Sequence, residues 1–123
     1  MATILIVDDS IIMQRLKTTY LQQAGHTIVG VCFNGEEGFH LYQELHPDVV
    51  LLNVQLPLVN GIECLKQIIR YDAHAFVVMC CALGHLRIRM DVLRLGAQDY
   101  VLNAFIQEKL VEVVETTLRK KKR

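Results

Sequence analysis

Thr3-Ile-Leu-Ile-Val-Asp-Asp-Ser10 is an unbroken apolar run that ends abruptly in two carboxylates. A run this short with no polar alternation reads as a parallel strand buried on both faces. Asp8 and Asp9 then stand at its carboxyl end. Ser10 can cap a following helix, in which Met13, Leu16, Tyr20 and Ala24 recur at helical spacing and are expected to face inward. Gly25 supplies the stop.

The same unit recurs along the chain. Thr27 to Cys32 reads as a second strand and Gly35 to Leu45 as a second helix, with Gly38, Leu41, Tyr42 and Leu45 on one face and Pro47 ending it. Asp48-Val-Val-Leu-Leu52 is a third strand. Pro57 and Asn60-Gly61 mark a long loop before a helix defined by Ile62, Leu65 and Ile69. Phe76 to Cys80 is a fourth strand, and His85 to Leu95 a fourth helix stopped by Gly96. Asp99 to Leu102 is a fifth strand. Phe105 to Arg119 is the last helix, with Ile106, Leu110, Val113 and Thr117 inward. Strand and helix alternating five times predict an α/β, doubly wound, flavodoxin-like sheet of order 2-1-3-4-5 with five helices. Ligands in such sheets sit beyond the carboxyl ends of the strands. The deciding residues are therefore Asp8, Asp9, Asn53, Cys81 and Asn103.

The 123 residues suit one domain, 1–123, with 119–123 as a basic tail. A composition 52% hydrophobic and 21% charged argues against disorder. Lys+Arg 13 against Asp+Glu 13 excludes a generally basic nucleic-acid binder. The charge is uneven: residues 1–83 hold 4 basic and 8 acidic side chains, residues 84–123 hold 9 and 5. No run is long enough for a membrane span, and no signal peptide is visible. Cys32, Cys64, Cys80 and Cys81 lie in or beside apolar runs and read as buried thiols of a reducing cytosol. The histidines share no metal-ligand spacing.

Adjacent carboxylates in a crevice repel phosphate and attract a hard cation. With no G-x-G-x-x-G and no P-loop, flavin or dinucleotide binding is disfavoured. A solvated turn with a helix-capping acid, a part Asp9 could play, is the alternative reading of the pair.

Taken in order, Ile4-Leu-Ile-Val-Asp-Asp-Ser10, Asp48-Val-Val-Leu-Leu-Asn53, Leu56-Pro57 with Gly61, Val77-Val-Met-Cys-Cys-Ala82, and Gly96-Ala97 through Asp99-Tyr100 to Phe105 resemble a receiver domain of two-component response regulators. The likeness is to the single-domain chemotaxis regulators and covers Ile4 to about Leu118. It implies an aspartate at the end of the third strand that accepts a phosphoryl group; here that position is Asn53. It implies a Ser or Thr after the fourth strand, here Cys81. It implies a lysine and a proline after the fifth, here Asn103 and Ala104. The metal-binding acidic pair persists as Asp8 and Asp9, the metal-binding backbone carbonyl falls at Gln55, and the aromatic switch residue is Tyr100.

An amide is no nucleophile, so an acyl phosphate cannot form on Asn53. The lost carboxylate also removes charge on which Mg²⁺ depends, so weak Mg²⁺ binding or none is expected, and no other cofactor. With Asn103 in place of the lysine, no cation is expected near Asp8 and Asp9. Alanine at 104 predicts a trans Asn103–Ala104 bond, with water or a rotated Asn103 filling the lysine's space. Four departures at one site fit a naturally degenerate receiver better than a competent one disabled by a single Asp-to-Asn change. A small metal-dependent phosphohydrolase is the remaining alternative, and the adjacency of Asp8 and Asp9 speaks against it. The resulting expectation is a cytoplasmic, non-enzymatic phosphorelay module acting through protein contacts. Its partner surface is expected at Arg87, Arg89, Arg94, Val101 and Lys109. The partner would be a kinase, an effector, another regulator or a second copy. Membranes are not expected as partners, and nucleic acid only through a separate output domain or weakly through the tail. Cys81 reads as a small apolar filler rather than a redox input, since no cation is evident beside it.

Overall fold

A computed structural model describes residues 1–82 and 86–121. The elements run β1 (Thr3–Val7), α1 (Ile11–Gln23), β2 (Thr27–Cys32), α2 (Gly35–Leu45), β3 (Val49–Asn53), α3 (Gly61–Tyr71), β4 (Val77–Cys81), α4 (Leu86–Arg94), β5 (Asp99–Leu102) and α5 (Ile106–Lys121). All strand pairings are parallel, and the order is β2-β1-β3-β4-β5, as the alternation predicts. The strands form where apolar runs end in turn residues. Alternate side chains then bury on opposite faces. Leu5, Val7, Val50, Leu52, Val77 and Met79 meet Tyr42, Cys64, Leu65, Ile68 and Val92 from α2, α3 and α4. Ile4, Ile6, Val49, Leu51, Val78, Cys80 and Val101 meet Leu21 of α1 and Ile106, Leu110 and Val114 of α5. Each fully buried Leu, Ile or Val contributes about 1.5–3 kcal/mol.

Several boundaries shift for physical reasons. Asp48 stays outside β3 because its carboxylate Oδ2 accepts from Thr3 N at 2.8 Å and Thr3 Oγ1 at 3.1 Å. β4 starts at Val77 and runs through Cys81. The last helix starts at Ile106, since Asn103–Phe105 form a separate 3-10 turn that leaves Phe105 half exposed. His85, expected to open α4, lies outside the described residues. Val114 rather than Val113 turns fully inward on α5.

The larger correction concerns α1. Its buried stripe is Gln14, Lys17 and Leu21, whereas Leu16 and Ala24 are exposed and Met13 and Tyr20 only half-buried. Two polar side chains occupy core-facing positions because the carboxyl end of β1 offers them acceptors. The basic tail is corrected too. Lys121 is the last residue of α5, bonds Asp48 O and Oδ1 at 3.2 Å, and lies over the Phe76 ring. Lys122 and Arg123 lie outside the described residues.

The loop after β3 is held tight against α3. Gly61 N donates to Val54 O at 2.8 Å, and Asn60 caps the helix through Glu63 N. A Cβ at position 61 would fall on the Asn53 carbonyl and 2.8 Å from Val54 Cα. Gly61→Ala is therefore expected to lower the unfolding free energy by about 1–3 kcal/mol, because backbone stands in the way. A second test uses Asp48. The Thr3 backbone N–H, and after it Lys121, hold its carboxyl below its ordinary 3.8. Asp48→Ala should cost about 1 kcal/mol at pH 7, the net worth of the Thr3 bonds with little from the exposed lysine. A depressed carboxylate stabilises above its unfolded-state value, so the difference should fade as pH falls through the lower folded value. Urea unfolding of both proteins at pH 7 and below pH 3.8 reads it.

Candidate functional site

The carboxyl ends of β1, β3, β4 and β5 deliver Asp8, Asn53, Cys81 and Asn103 to one end of the sheet. Asp8 and Asp9 part company there. Asp8 is 1% exposed, while Asp9 points to solvent. Ser10 caps α1 by accepting from Met13 N at 3.2 Å, and its own N–H donates to Asp8 Oδ1 at 2.9 Å.

The other carboxylate oxygen meets a cation. Lys17 Nζ lies 2.7 Å from Asp8 Oδ2, and the lysine is itself 1% exposed. This overturns the expectation that no cation stands near the acidic pair. Burial pulls the Lys17 ammonium down, but Cys80 and the Asp8 carboxylate outweigh that and raise it. Burial pushes the Cys80 thiol up, and the group hydrogen-bonded to the ammonium is the Asp8 carboxylate. Gln14 completes the arrangement. Its Nε2 donates to Asp8 O at 2.6 Å and to Cys32 O at 3.2 Å, tying β1 to β2 beneath the site.

Asn53 is buried at the end of β3, and its Nδ2 donates to Gln55 O at 3.0 Å. Asn53 Oδ1 and Asn103 Oδ1 are buried without partners. The Asn103–Ala104 bond is trans, as expected. Asn103 does not supply the counter-charge; Lys17 does, from a different helix.

A divalent metal fits this set poorly. Both Asp8 oxygens are engaged, one of them by an ammonium. The Gln55 carbonyl is taken by the Asn53 amide. What is left is two neutral amide oxygens, Asn53 Oδ1 and Asn103 Oδ1, and the exposed Asp9. No cluster of three or more His, Cys, Asp or Glu suited to a metal occurs among the described residues.

Cys81 is 4% exposed and lies beside the Tyr100 hydroxyl. Burial first, then the Cys81 sulfur, raises the Tyr100 hydroxyl above its ordinary value. All four cysteines are buried and unpaired. Burial pushes the Cys32 and Cys64 thiols up to about 12, so both are inert.

Tyr100 also lines a groove of about 490 Å³ between α4, β5 and α5, with Leu86, Arg89, Phe105, Lys109 and Glu112. Of the expected partner surface, Arg89 and Lys109 converge on this groove. Arg87 and Arg94 line a separate, shallow face with Met90 and Asp91. Val101 is a correction: β5 places it at the groove, but it is 3% exposed and packs into the core with Ile106 and Leu110.

Sequence reasoning missed Lys17. The available signal was the Gln14, Lys17, Leu21 spacing on α1, below a carboxylate that ends a buried strand.

No described helix is long and apolar enough to cross a membrane. The response regulator receiver domain profile matches residues 4–115. The chain is 34% identical over 118 residues to Protein CcdB of Bacillus subtilis, covering 96% of this chain and 98% of that one. It is 32% identical over 111 residues to Chemotaxis protein CheY of Thermotoga maritima, covering 90% and 92%. The crystal structure of the CheX-CheY-BeF3-Mg²⁺ complex from Borrelia burgdorferi superposes with a TM-score of 0.83 at 30% identity, over 91% of this chain and 88% of that one. With strand order, landmark residues and near-complete coverage in agreement, the chain belongs to the response regulator receiver domain family of two-component systems.

Proposed function

We propose that this receiver signals through protein contacts and does not accept a phosphoryl group at the usual position. The observation that carries the reading is Asn53, whose side-chain nitrogen binds the Gln55 carbonyl at the end of β3. An amide cannot attack phosphorus to give an acyl phosphate. The neighbouring departures support the same reading. Cys81 has a weak donor where a hydroxyl is expected, and Asn103 and Ala104 carry neither charge nor proline. A single disabling change at position 53 would have left those three intact.

The input is then something other than phosphate, and the domain acts as a binding module rather than an enzyme, without a resident cofactor. Tyr100 stands beside Cys81 and lines the α4–β5–α5 groove, where a partner would meet it. Arg89 and Lys109 give that groove basic edges, and Leu86 and Phe105 give it apolar ones. Such a mixture suits a protein segment. The Borrelia CheY structure, in which a receiver is seated against CheX, supports a protein partner of this kind. Cytoplasmic residence follows from the same reading, with a kinase, an effector or another regulator as the candidate partner.

The test is incubation of the purified chain with acetyl phosphate or phosphoramidate and Mg²⁺, followed by intact-mass analysis and peptide mapping. No phosphate addition is expected. Addition of one phosphate per chain mapped to Asn53, Asp8 or Asp9 would overturn the proposal. Amide spectra recorded with beryllofluoride and Mg²⁺ should likewise stay unchanged around residues 53 and 81.

A further inference from the structure

α1 presents Gln14, Lys17 and Leu21 to the core. Lysine at such a position is costly to bury and is rarely found there unless paired. Here the pair is complete. Lys17 Nζ sits 2.7 Å from Asp8 Oδ2, and both residues are 1% exposed. Asp8 Oδ1 takes the Ser10 N–H, and the Asp8 carbonyl takes Gln14 Nε2 at 2.6 Å. Every acceptor of Asp8 is therefore answered from α1 or its cap. The acidic pair is split, with one member neutralised inside the fold and the other left in water.

We propose that Lys17 is the resident cation of this site. Its ammonium takes the electrostatic place of a divalent metal, and it disfavours metal binding even when position 53 carries a carboxylate. The inference rests on the reading of a receiver that works without phosphate, but it concerns Lys17 and not Asn53. An ammonium fixed on Asp8 removes that carboxylate as a ligand. It also repels any divalent ion brought beside Asp9, and more strongly in a dry site than in water. The lysine cannot swing away into solvent without leaving Asp8 buried and unpaired. The charge is therefore structural and permanently in place, whereas a bound metal exchanges. A restored acceptor carboxylate at position 53 would meet a site whose counter-charge is already supplied.

Mn²⁺ is the probe, read by paramagnetic broadening of amide resonances near residues 8–10 and 53–55. The native chain should show no saturable broadening at sub-millimolar Mn²⁺. Asn53→Asp alone should bind weakly. Asn53→Asp with Lys17→Met should bind at least about tenfold tighter than Asn53→Asp. Asn53→Asp with Lys17→Arg, which keeps the charge, should stay as weak as the single variant. Lys17→Gln keeps a donor within reach of Asp8 without the charge. It replaces Lys17→Met where the methionine variant does not fold, with the same tightening expected. Equal Mn²⁺ affinity with and without the charge at position 17 would overturn the proposal. Phosphorylation of the native chain would overturn the functional reading and leave this affinity ratio untouched.

Discussion

A carboxylate buried at the end of the first strand has to be answered from within the fold. Ionised Asp8 in a dry site costs several kcal/mol in lost hydration. The structure answers with an ammonium on one oxygen, a backbone N–H on the other and a glutamine amide on the carbonyl. These groups come from α1 and its cap, so the position of α1 on the sheet is set by the charge as much as by Leu21. Removing either partner alone would leave an unpaired buried charge, typically a loss of about 3–5 kcal/mol. The pair is therefore less a source of stability than a specification of where α1, β1 and β2 meet.

That specification changes what the end of the sheet can do. Here the counter-charge is built into a helix, the acceptor is an amide, and the amide's N–H closes on the Gln55 carbonyl. The two orphaned oxygens, Asn53 Oδ1 and Asn103 Oδ1, are what the substitutions leave unanswered. At the neighbouring strand end, Tyr100 lies beside Cys81 and lines the α4–β5–α5 groove. The receiver framework thus persists around a strand end that carries Asn53 and Asn103.

The sheet was legible because each strand is an apolar run cut off by a turn or a charge, and five such runs leave few topologies. The strand-end residues were legible for the same reason, since strand ends locate Asp8, Asn53, Cys81 and Asn103 directly. α1 was not. Periodicity put Met13, Leu16, Tyr20 and Ala24 inward, whereas the buried side is Gln14, Lys17 and Leu21. A scheme that counts apolar residues cannot see a lysine in a core position, because its burial depends on a partner nine residues earlier on another element. Val101 is hard to place for a related reason: a residue on an edge strand looks exposed until α5 is packed over it. Lys121 reads as tail in the sequence because its partner, Asp48, is brought near only by the folded sheet.

The central claim is that the positive charge at this site belongs to Lys17 and not to a metal. The most direct measurement is the side-chain ammonium resonance of Lys17 in ¹⁵N-labelled protein, followed as Mg²⁺ is added. A buried ammonium bonded to Asp8 should give a signal protected from solvent exchange, unchanged at millimolar Mg²⁺ and lost in Asp8→Asn. A signal that exchanges freely in the native chain, or that shifts with saturating Mg²⁺, would contradict the account.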